Sequence, residues 1–142
     1  MTPVMTAEEL NAFLVEVFEQ VAGDFHVDHV GPGEITMRLI TSDKHLRPGG
    51  TISGPAMFGL VDVAAYVVTL AHIGPEALTV TTNCSIDFMR KPEAGLPLIA
   101  QGRLLKLGKQ LSVSDVLLFS EGKPEPVARA SLTYAIPPKR DV

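Results

Sequence analysis

The chain has no tryptophan, a single cysteine and only two tyrosines among its 142 residues. A lone Cys84 cannot form an internal disulfide, so the fold must be held by its core and its hydrogen bonds. There is no block of lysine or arginine. Twelve basic against sixteen acidic residues leave a formal charge of -4, which does not suit a run of phosphates, and nucleic acid is not expected as a partner. The four histidines, His26, His29, His45 and His72, lack the spacing of a zinc site. No glycine-rich phosphate loop and no Ser-His-Asp arrangement is present either, so no metal or redox cofactor is implied. The opening MTPVMTAEEL has neither the basic start nor the apolar stretch of a signal peptide, which sets the expectation of a cytoplasmic protein.

What the chain has in quantity is apolar material, 46% of its residues, enough for one sizeable core in a single domain spanning 1–142. The longest apolar run, 52–73, could by length cross a bilayer. It carries Gly54, Pro55, Gly59 and, near its middle, the ionisable Asp62; a charge in lipid is costly, so the run reads as the buried helix of a protein core and no membrane is expected. Ser53 or Gly54 serves as its N-cap, Pro55 fits the first turn, and Gly74-Pro75 stops it.

Around that helix the pattern is mostly strand. Thr6 and Glu9 have the spacing of a capping box, and Leu10, Phe13, Leu14, Val17, Phe18 and Val21 fall on one face, predicting an N-terminal amphipathic helix within 1–23. Stretches 25–30 and 34–41, separated by Gly31-Pro32-Gly33, predict a hairpin. A glycine- and proline-bearing loop over 42–53 leads to the apolar helix.

Four strands follow from residue 77. The first alternates, with Val80, Thr82, Cys84, Ile86 and Phe88 on one face and Thr79, Thr81, Asn83, Ser85 and Asp87 on the other. The others run near 98–107, 111–120 and 127–136, and 137–142 reads as a tail. Short connections predict mostly antiparallel neighbours. The expected architecture is an α+β domain: a curved antiparallel sheet of five or six strands wrapped around one long apolar helix, with the extra N-terminal helix outside. An open sheet edge is an aggregation liability, so pairing of edges between two copies is expected on physical grounds.

Two features could carry chemistry. Asp62 is the only charged side chain in the apolar helix, and a buried carboxylate is costly unless hydrogen-bonded or useful. The helix entry, Arg47 to Pro55, offers free amides and the positive end of a helix dipole, which can stabilise a developing oxyanion; Gly54 has no side chain to obstruct a ligand, and Pro55 removes one donor. Gly54 and Asp62 are eight residues apart, about 12 Å along a helix, too far to act on one bond within one chain. Two helices packed antiparallel in a dimer would bring one chain's helix entry beside the other's carboxylate.

The stretch from His45 to Tyr134 resembles the hotdog-fold thioesterases of the PaaI-like type, the 4-hydroxybenzoyl-CoA thioesterase superfamily. The family pattern, approximately His-x-Asn-x-x-Gly-x-x-His-Gly-Gly followed by a helix carrying Asp, is matched by His45, Gly50, Gly54 and Asp62. Asp87-Phe88-Met89-Arg90-Lys91-Pro92 resembles the family's strand end, and Gly108-Lys109 its hairpin turn. The resemblance implies hydrolysis of an acyl-CoA thioester. Asp62 would activate water or attack the carbonyl, the Gly54 amide of the facing subunit would hold the oxyanion, and Thr81 would place a hydroxyl near the carboxylate. It also implies a homodimer, and dimers of this family often pair into a homotetramer. Arg90, Lys91, Arg103, Lys106 and Lys109 stand near strand ends and turns where relatives bind the nucleotide and phosphates of CoA.

Three positions depart from the pattern: Arg47 stands for asparagine, Ser53 for histidine and Pro55 for the second glycine. Arg47 could pair with Asp62, polarise a carbonyl or bind an acidic acyl group, while Ser53 can cap the helix. The competing reading is an acyl-CoA-binding or sensing protein of the same fold without catalysis. A hydratase of the same fold is disfavoured, because Asp43-Lys44-His45 does not have the spacing that branch requires.

Overall fold

In the computed structural model, which describes residues 1–138, Thr6 opens the first helix, α1 (Ala7–Val17), with the expected capping box. Its hydroxyl accepts from the Glu9 amide and the Glu9 carboxylate accepts from the Thr6 amide, each at 3.1 Å. The helix does not run on to residue 23. The backbone leaves helical geometry at Phe18 (φ -137°, ψ 47°) and resumes as a single turn, α2 (Glu19–Ala22). The break sets the Phe18 ring edge-on to Tyr66, with 6.5 Å between ring centroids, an aromatic contact supplied by tertiary packing that helical periodicity cannot signal.

Strands β1 (Phe25–Gly31) and β2 (Glu34–Leu39) form the expected hairpin, with Gly33 in the left-handed region. A short 3-10 turn follows, then the long helix α3 (Gly54–Ile73) and four strands: β3 (Val80–Phe88), β4 (Leu98–Leu107), β5 (Leu111–Ser120) and β6 (Pro126–Ala135). Of the tail expected at 137–142, residues 139–142 lie outside the described residues.

All six strands join one antiparallel sheet in the order β1-β2-β4-β5-β6-β3. Every neighbouring pair is antiparallel, as the short connections predict, but β3 lies beside β6 and not beside β4. The tight connections after β4 and β5 force a meander, whereas the connection over 89–97 crosses three strand spacings, about 14 Å, which a chain of that length spans easily. The consequence is that β3 has a partner on one side only and forms a sheet edge.

Helix α3 is apolar all round, and the sheet curves over it. Leu60, Val61, Ala64, Ala65, Val67, Val68, Leu70 and Ala71 are fully buried. The helix is long and apolar enough to span a bilayer, yet 72% of its most apolar window is covered by its own domain. Close approach of helix to sheet depends on Gly102 of β4, where a Cβ would lie 3.2 Å from Ile35 Cδ1 and 3.6 Å from the Ala64 carbonyl. Polar groups on α3 are satisfied locally: Thr69 donates to the Ala65 carbonyl and meets Ser112 of β5, both at 2.8 Å. His72 donates from Nδ1 to the Val68 carbonyl and accepts the Gly33 amide at Nε2, tying the helix to the β1–β2 turn. The arrangement is the hotdog fold that the resemblance implies.

Regular alternation along β3 does not survive. A bulge against β6 between Thr81 and Asn83 shifts the phase, so that Thr81 and, beyond the bulge, Cys84 and Ile86 are the less exposed positions. Uniform alternation would have put Thr81 and Cys84 on opposite faces. The bulge therefore decides what faces α3.

Gly102→Val is expected to wedge the sheet from the helix and lower stability by about 1–3 kcal/mol, read as a lowered midpoint in urea unfolding. An unchanged midpoint would mean that Ile35 gives way freely and that helix–sheet contact does not depend on this glycine.

Candidate active site

Asp62 lies in the middle of α3, half-buried, and is held from two strands. Thr81 of β3 donates its hydroxyl to Asp62 Oδ1 at 2.6 Å. The Tyr134 hydroxyl of β6 lies 2.6 Å from the same oxygen and 2.8 Å from the Asp62 carbonyl. Thr81 and Tyr134 are paired across the β3–β6 ladder, so one register position delivers both hydroxyls to one carboxylate oxygen. Oδ1 is thereby occupied. Among the described residues no hydrogen bond reaches Oδ2, which leaves it as the oxygen open to a reactant.

Tyr134 was not among the residues singled out in the sequence. At the end of an apolar strand it reads as core, and it is 96% buried; only its pairing with Thr81 reveals the role. Burial first, and then the hydrogen bond to Asp62, raise its phenol far above the ordinary tyrosine value. Burial also raises the Tyr66 phenol, whose hydroxyl donates to the Ala77 carbonyl at 3.0 Å and whose ring is 6.1 Å from that of Tyr134. Desolvation and then the charge of Asp62 push up the Cys84 thiol, which stays protonated at neutral pH.

Beside Asp62 opens a cavity of about 620 Å³. Asp62, Thr81 and Tyr134 line it together with Phe18, Val21, Phe25, Val63 and Tyr66. The broken N-terminal helix thus contributes a wall, and the lining is mostly apolar. A larger hollow of about 850 Å³ spreads over the outer face of the sheet, among side chains such as Gln101 and Arg103. There Arg129 pairs with Asp87 at 2.9 Å and Ser131 with Asp115 at 3.1 Å, and Asp62 is not part of it. The smaller cavity has the chemistry.

At the entry of α3, Ser53 caps the helix as expected. Its Oγ accepts from the Ala56 amide at 3.3 Å and its carbonyl from the Met57 amide at 3.0 Å. Pro55 has no amide hydrogen, so the Gly54 amide is the first-turn donor that finds no partner among the described residues. A Cβ on Gly54 would meet only Phe88, at 3.7 Å, so packing within the chain does not demand glycine there. The preceding loop is fixed by His45, which accepts the Ser42 amide at Nδ1 (2.9 Å) and the Ser53 amide at its carbonyl (2.8 Å). Gly49 and Gly50 supply the positive φ values of that loop, 102° and 83°.

Within one chain the structure brings Thr81 to Asp62 and leaves Gly54 two helical turns away. Arg47 is exposed and makes no ion pair among the described residues, so its pairing with Asp62 is not realised in the single chain. Nor are the five candidate phosphate-binding cations gathered. Arg90 and Lys91 follow the end of β3 that touches Gly54, and Arg90 pairs with Glu125 at 3.5 Å. Lys106 and Lys109 stand at the opposite end of the sheet, and Arg103 lines the outer hollow.

The raised Tyr134 phenol has a consequence in alkali. A tyrosine that ionises less readily folded than unfolded contributes stability that is intact below pH 10 and is lost as pH rises beyond it toward the folded value. Native protein should therefore show phenolate absorbance only well above pH 10, with stability falling over that range. Tyr134→Phe should flatten the fall, and an equally steep fall in the variant would show that Tyr134 is not the group responsible.

The thioesterase superfamily model matches residues 49–127. A Silicibacter protein described as a "putative thioesterase" has a crystal structure 59% identical in sequence, with a TM-score of 0.91, covering 97% of this chain and 96% of that one. A Streptococcus mutans protein solved bound to acetyl-CoA is 26% identical, with a TM-score of 0.69 over 82% of this chain and 91% of its own. The phenylacetic acid degradation protein PaaI from Thermus thermophilus is 25% identical, with a TM-score of 0.69, over 89% of this chain and 99% of that one.

Proposed function

This chain belongs to the thioesterase superfamily, and we propose from the geometry around Asp62 that it is an intracellular enzyme hydrolysing acyl-CoA thioesters. The observation that carries the proposal is the carboxylate itself: one oxygen is fixed by two hydroxyls, the other has no hydrogen-bond partner among the described residues, and the residue lines a mostly apolar cavity of about 620 Å³. Binding of acetyl-CoA by the Streptococcus mutans relative supports a CoA-borne substrate.

In the proposed reaction Oδ2 either takes a proton from a water molecule that adds to the thioester carbon, or adds to that carbon itself. In both routes negative charge develops on the carbonyl oxygen, the C–S bond breaks, and the departing thiolate takes up a proton to leave as CoA; where Oδ2 itself has added, water then hydrolyses the acyl-aspartyl anhydride, releasing the carboxylic acid and restoring Asp62. Hydroxyl donors suit this role better than a cation would, because they orient the carboxylate and leave its charge in place.

The oxyanion needs a donor, and the open Gly54 amide is about 12 Å from Asp62 in the same chain. The reading therefore includes a homodimer in which β3 edges pair and two α3 helices lie antiparallel, each Gly54 serving the other chain's Asp62. Two observations support it: β3 is a sheet edge, and Leu78, Val80, Phe88 and Met89 on and beside it are exposed apolar side chains. Arg90 and Lys91 would then stand near the helix entry, within reach of the CoA phosphates.

Thiol release measured across short, medium, long and aromatic acyl-CoAs tests the proposal. Asp62→Asn should lower kcat by a factor of roughly 100 or more at unchanged oligomeric state. Tyr134→Phe should lower kcat about tenfold with little change in KM, because it leaves Thr81 in place and disturbs only the orientation of Oδ1. Equal activity in the Asp62 variant would remove Asp62 from the mechanism. Acyl-CoA binding without release by the unmodified protein would make it a thioester-binding protein.

A further inference from the structure

We propose that Thr79 is a specificity-determining residue of the Asp62 cavity and selects acyl groups bearing a neutral hydrogen-bonding substituent, a hydroxyl or an oxo group, over unsubstituted ones. The inference rests on the thioesterase reading above and extends it to the substrate class.

Thr79 immediately precedes β3, is only 5% exposed and lines the cavity. Its Oγ1 is the one buried side-chain polar atom among the described residues with no hydrogen-bond partner. An unpaired buried hydroxyl is destabilising, and valine has nearly the same shape without the penalty. The other hydroxyls around the cavity are engaged, since Tyr66 donates to the Ala77 carbonyl and Thr81 and Tyr134 are held at Asp62, and the Gln20 side chain is exposed to water. Among the hydroxyls of the cavity Thr79 alone is unpaired. A ligand group that pairs with it removes the penalty, so the free energy of that pairing goes to selection.

Position and charge narrow the class. Thr79 is two residues before Thr81, about 7 Å along extended chain, so the substituent it meets lies partway down the acyl group rather than at the reacting carbonyl. A hydroxyl both donates and accepts, so it suits an alcohol or a ketone alike. The cavity lining includes Asp62 and no lysine or arginine, which disfavours an anionic acyl group.

The test uses matched acyl-CoAs of one skeleton: hexanoyl-CoA against its 3-hydroxy, 3-oxo and 5-hydroxy counterparts. The quantity read is the ratio of kcat/KM for substituted over unsubstituted substrate, in the unmodified protein and in Thr79→Val. At least one substituted substrate should be preferred by the unmodified protein, and its ratio should fall roughly tenfold or more in the variant. The same ratio in both proteins overturns the proposal. If no thiol is released, dissociation constants for the same CoA esters give the ratio directly, so the specificity claim is decided even where the hydrolytic reading fails. Ligand-free Thr79→Val should melt at the same or a higher temperature, whereas a melting point lowered by several degrees would show that Oγ1 has a structural partner and would also overturn the claim.

Discussion

A helix with almost no polar side has to be covered on nearly every side, and the rest of this molecule follows from that constraint. One flat sheet covers one face of a helix; a six-stranded sheet that curves covers most of it. The curvature requires close approach, which Gly102 permits by leaving room for Ile35 and for the carbonyl of Ala64. The N-terminal helix and its break at Phe18 close part of what remains, with Phe18 against Tyr66. The order of the strands then leaves β3 with one free edge flanked by exposed apolar side chains, a surface suited to pairing with a second copy.

Against that apolar background a single carboxylate stands out, and the sheet is shaped to receive it. The bulge in β3 turns Thr81 inward, the register of β6 sets Tyr134 opposite, and both hydroxyls meet at Oδ1. A cation in their place would neutralise the charge that the proposed chemistry uses. Neutral donors hold the group in one orientation and leave its second oxygen reactive. Thr79, just upstream of the same strand, lines the cavity beside them.

Much of this was legible in the residues. The buried helix, its Ser53 cap, the limits of β4 and β5, the hairpin about Gly31-Pro32-Gly33 and the importance of Asp62 all follow from composition, periodicity and turn chemistry. Three features were not. The break at Phe18 answers a ring contact with Tyr66, which is distant in sequence. The bulge beside Thr81 leaves no local signal, because alternation looks regular until the partner strand is known. Tyr134 looks like any buried strand aromatic until that same register places it against Asp62. Local propensity is written in neighbouring residues, whereas register is decided by partners far along the chain.

In the proposed mechanism the working site is composite, with Asp62 of one chain and the Gly54 amide of another acting on one carbonyl. Mixing two inactive variants measures it directly: Asp62→Asn chains and Gly54→Val chains, each confirmed folded and dimeric, unfolded together and refolded as a mixture. If the site is shared, a mixed dimer contains one site made wholly of unmodified residues, and the mixture should recover thiol release that neither variant shows alone. If each chain carries its own complete site, no mixed dimer holds an intact one, and a mixture as inactive as its components would rule out a shared site.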